Sequence, residues 1–182
     1  MKRLLACGAL VCGAVAAQSL DLKTLDGLAS KAKESEIVNL DAATLKLASG
    51  FLSAQDADQA KARKLISGIS AINVRTFEFD SDSAYSPSEL DPVRAQLKSP
   101  GWSKIVETKE AKESTEVYLH TTDGKMSGFA VLALEPRELT VVNIVGSLDM
   151  ETLASLGGSF GVPDVPEIRK LMRPPASTKT KE

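Results

Sequence analysis

The sequence predicts an α+β domain: an antiparallel meander of four or five strands, mostly between Ile72 and Gly146, packed on one face by helices from the first half. Three observations carry that expectation. In the first half, apolar residues recur every three or four positions, the spacing that lays a stripe along a helix. After Trp102 the pattern changes to β-rich runs separated by short polar turns. Between two of those runs stands Asp123-Gly124, a pair that accepts the positive backbone angles of a two-residue hairpin turn.

Taken in order, Leu22, Leu25, Leu28, Ala29 and Ala32 form one apolar stripe on a helix from Asp21 to Lys33. Ile37, Val38 and Leu40 form a short β-branched run, and Asp41 then caps a helix with Leu45, Ala48, Phe51 and Leu52 on one face. Asp56 and Gln59 have capping-box spacing for a further helix that turns Ala62, Leu65, Ile66 and Ile69 inward and ends at Gly68. Ile72 to Phe79 is a strand bounded by the polar cluster Asp80 to Ser83. Pro92 would cost an interior hydrogen bond, so the next helix starts after Asp91 and runs to Lys98, where Ser99-Pro100-Gly101 stops it. The remaining strands are Trp102 to Thr108, Thr115 to Thr121, Lys125 to Leu134 and Leu139 to Gly146. Phe129 to Leu134 is apolar at every position, which requires cover on both faces or a place near the sheet centre. Leu148 to Leu156 returns to helical spacing, with Asp149 as cap and Gly157-Gly158 as stop. A polar tail follows from Pro174.

The first seventeen residues have the form of an export signal: Lys2 and Arg3, an apolar run from Leu4 to Val15, and small residues from Ala14 to Ala17. A membrane helix needs about 20 apolar residues, so removal after Ala17 is expected rather than anchoring. Leu4-Leu5-Ala6-Cys7 is similar to a lipoprotein box, but only three residues separate Cys7 from Arg3, too few for a signal core. Periplasmic export is therefore expected ahead of lipid anchoring. The organisation is a leader at 1–17, one domain at 18–158 and a C-terminal extension with a polar tail at 159–182. Both cysteines, Cys7 and Cys12, would leave with the leader, so no disulfide or thiol nucleophile is expected in the remainder. Loss of Lys2 and Arg3 takes the formal charge from −2 to −4, which argues against a nucleic-acid partner.

Several motifs invite chemistry. Gly157-Gly158-Ser159-Phe160-Gly161 matches the G-x-S-x-G pattern of serine hydrolases, but it follows a helix, and the single histidine, His120, precedes the serine. A glycine-rich helix exit explains it better. His120 shares one side of a strand with Tyr118 and Thr122, and it has no histidine or cysteine companion for a zinc site. Asp80, Asp82, Ser86, Ser88 and Asp91 approach a calcium loop, but Ala84 and Tyr85 break the pattern and favour an acidic solvated loop. Trp102 is expected in packing. Glu107, Glu110, Glu113 and Glu116 alternate with Lys109 and Lys112, as a solvated turn does. The stripe Val165, Ile168, Leu171 and Met172, interleaved with Arg169, Lys170 and Arg173, is the candidate partner-docking element. No catalytic residue, cofactor site or metal site is assigned.

The second half also carries a resemblance. Gly101-Trp102, Glu116-Val117-Tyr118 running to Asp123-Gly124-Lys125, Ala130 to Pro136, and Glu138 to Gly146 resemble a bacterial envelope family catalogued as domain of unknown function 4252. The resemblance covers about Leu22 to Leu156, including the helix-to-strand passage from Leu65 to Phe79. It implies a small exported or lipid-anchored α+β protein with no established reaction, and some members resemble components of envelope regulation near sigma-factor systems. Its motifs are apolar and turn residues, so no catalytic residue carries over. The expected function is that of an exported bacterial protein that binds or interacts in the periplasm without catalysis, its partner another envelope protein. An envelope hydrolase and a self-associating structural protein are the alternatives.

Overall fold

The computed structural model describes residues 19–82 and 84–147. The leader, the expected helix from Leu148, the glycine-rich segment with Ser159 and the stripe Val165, Ile168, Leu171 and Met172 lie outside the described residues. The described chain opens with a 3-10 helix at Lys23–Ser30, then strand β1 (Glu34–Asp41) and helices α1 (Ala42–Gly50) and α2 (Ala57–Ser67). Strand β2 (Ile69–Glu78), a 3-10 turn at Pro87–Leu90 and helix α3 (Asp91–Gln96) lead to β3 (Trp102–Lys109), β4 (Ser114–Thr122), β5 (Lys125–Leu134) and β6 (Glu138–Gly146).

The strands form one antiparallel sheet of six, in the order β1-β2-β6-β5-β4-β3. The expectation of four or five strands falls short because the Ile37 to Leu40 run does more than form a local strand. All eight residues of β1 pair in register with β2, from Glu34 opposite Glu78 to Asp41 opposite Ala71. The meander holds for β3 to β6, while β2 joins the free side of β6, so the connection carrying α3 crosses the sheet to reach β3. Asp123 and Gly124 take φ angles of 52° and 73°, the tight hairpin turn their residue types predict.

Both faces are buried, which extends the one-face packing expected from sequence. On the first face, Phe77, Leu139, Val141, Leu132, Tyr118 and Trp102 pack with Leu22, Leu25 and Leu28 and with Leu90, Val93 and Leu97. The three-residue spacing of those first leucines suits a helix of three residues per turn, and the segment takes the 3-10 form. The second face is crossed by one row of valines, each opposite the next in register: Val38, Val74, Val142, Val131, Val117 and Val106. Every residue from Phe129 to Leu134 is buried, because β5 lies inside the sheet with apolar residues on either side.

The two helices on this second face depart from the sequence reading in detail. Asp41 caps α1 by accepting from the Thr44 N–H at 2.7 Å. Of the expected inward face only Leu45 is buried; Phe51, at the end of the helix, is 82% exposed. Asp56 accepts from the Gln59 N–H at 2.9 Å, but the Gln59 side chain takes the Ser53 N–H at 2.8 Å, so the capping box is half formed. On α2, Ala62, Leu65 and Ile66 are half-buried, and Ile69 is buried as the first residue of β2.

Candidate functional site

The first face of the sheet carries, among its apolar residues, three polar groupings held by α3, the 3-10 helix and the β4–β5 pair.

Glu116 stands on β4 with 5% of its surface exposed. Arg94, on α3, grips its Oε1 through Nε at 2.8 Å and Nη2 at 2.7 Å. Its Oε2 accepts from the Tyr118 hydroxyl at 2.5 Å and the Lys104 ammonium at 3.2 Å. Burial alone would raise the Glu116 pKa, but the Tyr118 hydroxyl, the guanidinium and the ammonium outweigh it and hold the carboxyl below the usual carboxylate range. Burial also pushes the Tyr118 hydroxyl up to about 12, reinforced by its bond to Glu116. Burial opposes the charge on Lys104, yet Glu107 and Glu116 raise it to about 12. A carboxylate so held stays ionised at neutral pH, so it clamps α3 to the sheet and has no proton to give as a general acid. The sequence reading of Glu107 to Glu116 as a solvated turn is thereby corrected at its last member: Glu110 and Glu113 do form the turn, but Glu116 lies inside the strand and faces the core.

His120 is buried beside Trp102, with ring centroids 5.1 Å apart in an edge arrangement. Its Nδ1 lies 2.9 Å from the Ser127 Oγ, and its ring also hydrogen-bonds the Pro100 carbonyl. Burial lowers the imidazole pKa, and the bond to Pro100 offsets part of that. Ser127 reaches the ring because the β4–β5 register shifts between His120 and Thr121, which turns the serine toward His120 and Thr122. The separation is that of a nucleophile and its base. The same hydroxyl lies 3.0 Å from Thr122 Oγ1 and 3.4 Å from the His120 carbonyl, so its bonding capacity is used within the bulge. Gly101, at φ 95°, lets the chain pass against the ring; a Cβ there would strike it.

Arg75, on β2, is buried and donates to Asp26 Oδ1 at 2.6 Å, Asn39 Oδ1 at 3.0 Å and the Val74 carbonyl at 2.9 Å. Asn143 on β6 accepts from the Leu20 N–H at 3.0 Å, which ties the segment before the 3-10 helix to the sheet centre. Between that segment and the sheet lies an open cavity of about 360 Å³, lined by Asp21, Lys23, Asp26, Asn39, Asn73 and Arg75. Its amides and charges can hold a small polar group by hydrogen bonds.

The structure thus places Trp102 in the core and brings His120, Thr122 and Ser127 together. Asp82, from the acidic loop, is held by Arg137 at 2.9 Å and Lys112 at 3.1 Å. Arg75, Asn143 and Ser127 went unnoticed in the sequence. Polar residues interrupting β-rich runs were the available signal, since a polar side chain inside a buried strand needs a partner. Among curated proteins, none matches the chain. A family model described as a domain of unknown function, DUF4252, matches residues 30–156, which takes in all six strands. The chain belongs to the DUF4252 family.

Proposed function

We propose that this is an exported bacterial protein that works in the periplasm as a binding or interaction partner rather than as a catalyst. The observation that carries the reading is the presentation of large apolar side chains to solvent on α1 and just past its end, where Leu47 is 66% and Phe51 82% exposed. Side chains of that size facing water in a folded domain suit a protein partner. The leader supports export, and the bonds that the buried polar side chains make with one another support a structural use of those groups. The C-terminal stripe of Val165, Ile168, Leu171 and Met172 is a second docking element, its basic companions suited to an acidic envelope protein.

Cross-linking in cells tests the proposal. The wild-type protein is expected to capture an envelope protein, and capture should fall when Ile168 and Leu171 become Ser or when Phe51 becomes Ser, with the fold intact by circular dichroism. Equal capture by all these variants would end the docking reading. The contact between Ser127 and His120 favours a second reading, an envelope hydrolase. Ester, peptide or glycoside turnover by the purified protein that Ser127→Ala abolishes would establish it instead.

A further inference from the structure

The second face of the sheet shows burial that the described helices do not supply. Val117 and Val131, in the middle of the valine row, have 0% exposure. The off-sheet side chains grouped with that face among the described residues are Leu45 of α1 and Ile66 of α2, and these helices rest chiefly on β1 and β2. A valine on an uncovered sheet face keeps part of its surface in water, because neighbours in the sheet shield its flanks and not its tip.

We propose that Leu148 to Leu156 lies across β6, β5, β4 and β3 as the missing cover, making this chain's own continuation the occupant of the valine face. Three further observations point there. The chain leaves β6 at Gly146, where the Ser147 N–H bonds the Gly68 carbonyl at 2.8 Å, at the end of the sheet from which α1 and α2 also spring. The family match runs on to residue 156, so the domain shared by the family includes this segment and not only the six strands. The dimensions agree: three strand steps of about 4.8 Å carry β6 to β3 across about 14 Å, and the nine residues from Leu148 to Leu156 span about 13.5 Å as a helix. Met150, Leu153 and Ala154 recur at the spacing that places them on one stripe of such a helix. The cover goes beyond the docking role and is independent of it, since the stripe from Val165 onward lies further along the chain.

A benzophenone amino acid placed at Leu119, half-buried on that face, tests this in the full-length protein. After illumination, cross-linked peptides should map to residues 148–158 of the same chain. Links to a second copy or to lipid, or no link into that segment, would overturn the proposal. In the full chain, Leu153→Asp should lower the thermal midpoint by more than about 4 °C and raise binding of a hydrophobic dye. Ile168→Asp should do neither. An unchanged midpoint for Leu153→Asp would count against the cover, and the cross-link gives the answer even if that variant does not fold. Loss of partner capture with the intramolecular link intact would sink the docking role and leave the cover standing.

Discussion

Replacing Glu116 by Gln keeps the shape of the side chain and removes its charge, so it isolates what the ionised carboxylate contributes. The glutamine can still meet Tyr118, but the double grip of Arg94 on Oε1 and the contact of Lys104 with Oε2 lose their charge assistance. Removing one member of a fully buried pair costs about 3–5 kcal/mol, because a charge is stranded without water. Here the side chains of Arg94 and Lys104 are 25% and 35% exposed, so both can turn toward solvent. The expected loss is therefore nearer one charged hydrogen bond, about 2 kcal/mol at neutral pH, which corresponds to roughly 4–8 °C in thermal midpoint for a domain of this size. The pH dependence gives the sharper test. The folded-state pKa is depressed, so the stabilisation is present above the unfolded carboxylate value and disappears as pH falls through the folded one. Urea midpoints of wild type and variant should differ at pH 7 and converge toward pH 3. An equal gap at both pH values would refute the role of charge, and no gap at pH 7 would refute the clamp itself.

Two other substitutions probe the His120 corner. Gly101→Ala should cost about 2–4 kcal/mol, because a positive φ disfavours any Cβ and this one would collide with the imidazole; thermal denaturation of the variant reads it directly. His120, its pKa lowered by burial, binds a proton more readily unfolded than folded, so its contribution is complete above about pH 6.5 and is lost as pH falls. His120→Asn should lower stability at pH 7 and remove the slope in urea midpoint that begins just below pH 6.5, whereas an unchanged slope would place the titration elsewhere.

The strand half of the fold was legible because each β-rich run there is closed by a polar turn, and a turn such as Asp123-Gly124 has one geometry its residue types readily adopt. Helix ends were legible for the same local reason: Asp41 and Asp56 act as the caps their positions suggest. What pairs with β1 was not legible, since a four-residue core such as Ile37 to Leu40 says nothing about the strand eight pairs long that receives it. Phe51 misled for a related reason. Helical spacing puts it on the face expected to turn inward with Leu45, but α1 ends at Gly50 and only Leu45 is buried. At the candidate site, Trp102 read correctly as a packing residue from its strand position. The partners of Glu116 could not be read, because Arg94 and Lys104 reach it from α3 and β3 through tertiary contacts that no local spacing encodes.

Fractionation of living cells, followed by sequencing of the protein's amino terminus, puts the whole proposal at risk in one step. A periplasmic product beginning at Gln18, soluble after osmotic release, is the predicted result. A cytoplasmic product that still carries Met1 would contradict it.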